Sequence, residues 1–189
     1  MALKTFVKIN SVNNLSDARY CAGMNVNIIG FDINIVSNEQ FNEITSWVSG
    51  VDYAAEVSTN DKDISEKYDV AYVESESQDY LIELGGNVKT IFRTDINGLN
   101  SEIDSRIDLI HIVGEGDLSQ TDIDLIKSKS DKYKILMGYG IDHKNIDAIL
   151  EKTNAHGIAF SAGDEIRPGY KDYDEMADIL EALEIDEWA

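Results

Sequence analysis

A closed (β/α)8 barrel is the fold that this sequence of 189 residues predicts, and three observations lead to it. Short apolar runs alternate with polar, helix-compatible stretches at intervals of about 20 to 25 residues, as βα alternation requires. Eight such runs occur, and eight βα units favour a closed barrel over an open doubly wound sheet. The last run, Gly157-Ile158-Ala159-Phe160, empties into Ser161-Ala162-Gly163 and then Pro168-Gly169 ahead of a helical segment. That is the layout of a phosphate-binding βα loop: small residues let backbone N–H groups approach an anion, and the following helix adds its positive end.

In chain order, strands are expected near Leu3 to Ile9, Val26 to Phe31, Asp52 to Val57, Val70 to Val73, Lys89 to Arg93, Ile107 to Val113, Lys134 to Met137 and Gly157 to Phe160. Between them, Ser37-Asn38-Glu39-Gln40 reads as a capping box, and Ser119 to Lys129 and Lys144 to Glu151 carry helical spacing. The helix after Val57 is weakly supported. Asp172 to Leu183 predicts a closing helix with Tyr173, Met176, Ile179, Leu180 and Leu183 on its apolar stripe. Cys21 falls mid-helix beside Ala18 and Ala22, in a packing position, and Trp188 stands near the terminus.

One domain spanning residues 1–189 is expected, because 43% hydrophobic content fills one core and no linker or low-complexity stretch divides the chain. There are 36 Asp and Glu against 16 Lys and Arg, a formal net charge of −20. That field repels polyanions, so nucleic acid and anionic membrane are excluded as partners, and a small phosphate must be held by local N–H groups and a few placed cations. With one cysteine there is no intrachain disulfide framework, and with no signal-like or membrane-length apolar run the protein is expected to be cytoplasmic. A monomer or homodimer that takes a phosphorylated small molecule, with no cofactor and no metal, is the expectation.

Two stretches carry a family resemblance. Val7-Lys8-Ile9-Asn10-Ser11 with Asn14-Leu15-Ser16-Asp17-Ala18, running on to Gly23 and Gly30-Phe31, resembles the opening of phosphoribosylanthranilate isomerases, K-I-C-G followed by N-L-x-D-A and G-A-D-x-x-G-F. Ile135-Leu136-Met137-Gly138-Tyr139-Gly140-Ile141 with Asn145-Ile146, then Ser161-Ala162-Gly163, Glu165, Pro168-Gly169, Lys171 and Asp172, resembles that family's closing motifs, G-G-L-x-x-x-N-V and S-S-G-V-E-x-x-P-G-x-K-D. The resemblance implies a barrel, a phosphate cradle at Gly138, Gly140, Ser161, Ala162 and Gly163, and an Amadori rearrangement of N-(5-phosphoribosyl)anthranilate in tryptophan biosynthesis. Such a reaction needs an acid to open the sugar and a base to take the C2 proton.

The chemistry-bearing positions of the family are replaced together. Its base cysteine falls on Asn10, whose amide has no useful basicity, and the next glycine on Ser11. The arginine that pairs with the anthranilate carboxylate falls near Asn34, the histidine of Q-L-H-G on Glu74, and the aspartate before the serine pair on Ala159. Strand six, Leu109-Ile110-His111-Ile112-Val113, has no general-acid aspartate, and the glycine-rich loop after it is shortened to Glu115-Gly116-Asp117-Leu118. Tyr139 replaces a cradle glycine. Glu56, Glu74, Arg93, Asp95, His111 and Glu115 remain near strand ends at the barrel mouth. Of these His111 is the foremost catalytic candidate, because imidazole titrates near neutrality, with Glu74 or Glu56 as acid–base partner and Arg93 for a ligand anion. A shift of one residue in register turns His111 outward into a structural role, and both registers fit the pattern. Two readings stay open: an isomerase using substitute groups, and a non-catalytic barrel that binds a phosphorylated ligand or a protein partner.

Overall fold

The apolar runs form eight parallel strands that pair in sequence order and close on themselves: β1 (Phe6–Asn10), β2 (Ile28–Asp32), β3 (Asp52–Glu56), β4 (Tyr72–Ser75), β5 (Lys89–Thr94), β6 (Leu109–Ile112), β7 (Ile135–Met137) and β8 (Gly157–Ser161). The computed structural model describes residues 2–58, 60–161, 165–167, 170–171 and 173–185. Closure is made by β1, which pairs with β2 at Lys8↔Ile28 and with β8 along its whole length, from Phe6↔Gly157 to Asn10↔Ser161. The chain is therefore a (β/α)8 barrel, reached in 189 residues by shortening the crossovers. The helices are α1 (Leu15–Gly23), α2 (Asn38–Thr45), α3 (Ile64–Lys67), α4 (Gln78–Glu83), α5 (Ile96–Leu99), α6 (Gln120–Ser130), α7 (Ile146–Thr153) and α8 (Asp174–Ala182). Two of them, α3 and α5, are single turns.

Local chemistry explains most of the boundaries. Asn14, Ser37, Ser77, Asp95 and Ser119 each accept a backbone N–H from the first turn of the helix that follows, so one orphan donor each of α1, α2, α4, α5 and α6 is satisfied. The reciprocal capping box forms at α6, between Ser119 and Asp122. At α2 only the Ser37 half forms; the Gln40 Nε2 donates to Asn13 O at 2.8 Å and ties the helix to the β1 loop. The expected strand at Leu3 begins only at Phe6; Leu3 bridges Glu184 instead. Between β8 and α8 a short antiparallel pair, β9 (Glu165–Arg167) and β10 (Tyr170–Lys171), stands where the sequence predicted only a turn. The expectations placed on Ala162, Gly163, Pro168, Gly169, Asp172 and Trp188 lie outside the described residues.

Strand alternation sorts the core into two parts. Outward side chains such as Val7, Ile9, Phe31, Val73, Ile110, Ile112 and Ile158 pack under the helices against Phe41, Leu81, Ile126 and Leu180. Inward, Ile28, Ala54, Tyr72, Ile91, Leu109, Leu136 and Ala159 fill the barrel axis. Above that apolar plug, towards the C-terminal ends of the strands, the interior is charged.

Candidate functional site

Period-two alternation places Phe6, Lys8 and Asn10 on the inner face of β1, because Val7 and Ile9 are spent on the helix layer. Lys8 is fully buried, and its ammonium is shared by three oxygens: Asn10 Oδ1 at 2.5 Å, Glu56 Oε1 at 2.6 Å and Glu74 Oε2 at 2.8 Å. Glu56 and Glu74 are register partners on β3 and β4, an arrangement that two carboxylates tolerate here because Lys8 reaches between them. Burial opposes a charged lysine, but Glu56 and Glu74 outweigh it and hold the Lys8 pKa above its ordinary value. Burial likewise opposes a charged Glu74; Lys8, then His111, outweigh that and hold this carboxyl well below the usual range.

His111 points inward, 2% exposed, with Nδ1 2.9 Å from Glu74 Oε1. An ionised carboxylate only accepts, so Nδ1 carries the hydrogen and donates it. Nε2 is buried without a hydrogen-bond partner and faces Gly138, where a Cβ would come within 2.6 Å of it. Gly138 is thus the residue that leaves room for the imidazole. Gly30 does the same on the other side: a Cβ there would collide with Glu56 Oε1 and stand 2.8 Å from Lys8 Nζ. Ser11 completes the cluster from a left-handed backbone, φ 54°, from which its N–H and Oγ each lie 3.1 Å from Glu56 Oε2 and donate to it. The order of contacts is Ser11, Glu56, Lys8, Glu74, His111, one polar chain across the barrel.

A cavity of about 370 Å³ opens over this chain between the ends of β1 and β5. Glu56 and Glu74 form its floor, Asp32, Glu76 and Arg93 stand around its wall, and Val57 is the one apolar residue among the described residues that line it. Arg93 lies 3.8 Å from Glu76 Oε1. Asn34 also lines the cavity, with its amide donating to Asp32 Oδ1 and accepting from Ser58. Among the described residues no group of three or more His, Cys, Asp or Glu side chains is placed to hold a metal ion, and no helix is long and apolar enough to cross a membrane.

The remaining sequence candidates divide. Asn10 lies inside the barrel and accepts from Lys8; Glu74 and His111 are bonded to each other. Asp95 spends its carboxylate on the start of α5, accepting from Gly98 N at 2.7 Å, and Glu115 is exposed in the β6 loop. On the β7 side, the Gly138 N–H donates to Ile112 O at 2.8 Å, continuing the sheet. Asp142 accepts from the N–H groups of Lys144 and Asn145, so a carboxylate of the chain itself sits just before α7. The Tyr139 ring lies over Gly114, where a Cβ would come within 2.9 Å of it, and Gly140 adopts φ 71° against Leu118. Ser161 is exposed at the end of β8; Ala162 and Gly163 are outside the described residues. Lys8, Ser11 and Gly30 were not among the sequence candidates. The signal was available in β1, where the outward positions already held Val7 and Ile9.

No family model matches the sequence, and no curated protein matches it by sequence. Solved structures do match by shape. A dimeric phosphoribosylanthranilate isomerase from Thermotoga maritima, in a monomerised form, superposes with a TM-score of 0.74 at 17% identity, over 95% of this chain and 98% of that one. A phosphoribosylanthranilate isomerase holding reduced 1-(o-carboxyphenylamino)-1-deoxyribulose 5-phosphate gives the same values. A 3-keto-L-gulonate-6-phosphate decarboxylase from Vibrio cholerae gives a TM-score of 0.61 at 11% identity, over 96% and 98%. The likeness to phosphoribosylanthranilate isomerases, carried in sequence by the two ends, thus extends over nearly the whole chain as a likeness of fold.

Proposed function

We propose that this chain is an aldose–ketose isomerase of the Amadori type that acts on a 1-amino-substituted ribose 5-phosphate, N-(5-phosphoribosyl)anthranilate being its nominal substrate. One observation carries the reading: the buried chain Glu56–Lys8–Glu74–His111 surfaces at two carboxylates on the floor of a mouth cavity. An unused barrel mouth has no need of four ionisable side chains kept together out of water, where each costs free energy unless paired.

In the reaction, the opened sugar carries a C1=N bond whose nitrogen is protonated. Glu56, the more accessible carboxylate, takes the C2 proton; the electron pair forms C1=C2 as the C1=N electrons move to nitrogen. Ketonisation then breaks the C2 O–H bond and delivers a proton to C1. Lys8 stays an ammonium, and its charge 2.6 Å from Glu56 holds that carboxylate in place and offsets the negative charge that builds on the C2 oxygen as its O–H bond breaks. Glu74 and the imidazole fix each other, and because Nε2 is buried against Gly138 and His111 does not line the cavity, His111 is assigned a positioning role through Glu74. The phosphate is assigned to the loops after β7 and β8, at Gly138, Gly140, Ser161, Ala162 and Gly163.

The test is to generate glycosylamines from ribose 5-phosphate and several amines, anthranilate included, in D₂O and to follow the product by NMR. Deuterium appearing at C1 of a 1-amino-1-deoxyribulose 5-phosphate is the expected result, lost in Glu56→Gln and His111→Ala. A folded protein that rearranges none of them is instead a binding barrel, the reading favoured by the engagement of the Gly138 N–H and by Asp142 before α7.

A further inference from the structure

Resting on that reading, we infer that Ser11 is a positioning residue for the reaction: its hydroxyl orients Glu56 as the base and reverses from donor to acceptor when Glu56 takes the C2 proton. The backbone is the first observation. Ser11 holds φ 54°, a left-handed conformation that glycine adopts freely, and it stands at the glycine of the K-I-C-G motif. The turn is fixed from both sides. Asn10 is in register with Ser161 on β8, and Val12 is fully buried with its N–H donating to Gly30 O at 2.8 Å. A side chain between them therefore adds strain, and its hydroxyl is used on Glu56: the N–H and the Oγ–H of Ser11 converge on Glu56 Oε2, each at 3.1 Å.

The second observation is how the donors divide between the two oxygens of the base. Oε1 accepts from Lys8 Nζ at 2.6 Å and Oε2 accepts from Ser11, whose N–H also reaches Oε1 at 3.3 Å. To receive a proton, the carboxylate must release one of these donors. Lys8 is fully buried and held as well by Asn10 and Glu74, and the N–H of Ser11 is fixed by the chain. The hydroxyl turns about its Cβ–Oγ bond and has lone pairs to offer. As the C2–H bond breaks and the proton bonds to Oε2, the Ser11 hydrogen swings aside and Oγ accepts from the new O–H. Ser11 keeps its own proton throughout. Ser11 and Glu56 both line the mouth cavity, so the exchange takes place where the substrate enters.

The experiment compares Ser11→Ala, which keeps the strain and loses the hydroxyl, with Ser11→Gly, which loses both. Ser11 is exposed, so both variants keep the fold. The rearrangement rate is measured in each with the glycosylamine that the parent turns over best, and urea unfolding of Ser11→Ala is measured in the parent and in a Glu56→Ala background. In both variants kcat is expected to fall on the order of tenfold while KM stays within about twofold, the pattern of a contact that matters in the transition state. The stability lost in Ser11→Ala is expected to disappear once residue 56 has no carboxylate. An unchanged kcat in either variant, a rise in KM in place of the fall in kcat, or a stability loss undiminished by Glu56→Ala overturns the inference and leaves the isomerase reading standing. A parent that rearranges no glycosylamine sinks that reading, and the inference with it.

Discussion

The lower and upper halves of the barrel interior are built on the same eight strands and solve different problems. Below, Ile28, Ala54, Tyr72, Ile91, Leu109, Leu136 and Ala159 exclude water and ask nothing of each other but shape. Above, Lys8, Glu74 and His111 are as deeply placed, with Glu56 more accessible, yet each depends on its neighbour's charge or proton. Apolar packing is tolerant and locally additive, whereas a buried ionic chain fails as a unit when one link is removed. The lower half is scaffold; the upper half holds the groups to which a function is assigned.

The largest effect is expected from Lys8→Met, which strands two carboxylates. It should cost about 3–5 kcal/mol in urea unfolding, and adding Glu56→Gln and Glu74→Gln should recover a substantial part of the loss. The loss should also depend on pH. Glu74 is depressed in the fold, so its contribution is present above the ordinary carboxylate pKa and fades as pH falls towards its folded value. Lys8 is raised, so its contribution is present below the ordinary lysine pKa and fades as pH climbs through its folded value. The gap between parent and Lys8→Met should therefore be widest between about pH 5 and pH 10 and should close in acid. In the lower half, Ile91→Ala should cost about 2–4 kcal/mol by opening a cavity, with no such pH dependence; a matching pH profile would erase the contrast.

Smaller effects sharpen the comparison. Gly30→Ala pushes a methyl into the Lys8–Glu56 pair from an otherwise ordinary strand position, and about 1–3 kcal/mol of overpacking should follow, together with loss of the NMR signature of a rigid lysine ammonium. Ser11→Gly relieves a left-handed backbone and removes the hydroxyl donor to Glu56, so the two changes oppose and stability should move by less than about 1 kcal/mol. A clear drop in rearrangement rate at unchanged stability would mark that hydroxyl as a positioning group for Glu56.

The fold was legible because alternation of apolar and polar segments is a local signal, and each run that forms a strand carries its own. The single-turn α3 was legible in the same way, as the polar Asn60-Asp61-Lys62-Asp63 stretch gives a helix no apolar face. The site was legible only in part. His111 and Glu74 could be named from their places near strand ends, but their hydrogen bond joins β6 to β4 across the barrel, and no sequence spacing encodes that distance. Lys8 was passed over because a lysine between Val7 and Ile9 reads as the wet side of a strand, whereas in a barrel the other side is the one that needs helices to cover it. Gly30 read as part of a motif; its physical duty, a void shaped for an ion pair, exists only once β1 and β3 lie on either side of it.

Lys8, Glu56 and Glu74 all leave the ribosome early, but β1 is matched to β2 only at Lys8 and Ile9, while β8 grips it from end to end. A chain that lacks its last βα unit should therefore leave one flank of the strand that carries Lys8 unpaired, although the partners of its ammonium lie on β1, β3 and β4.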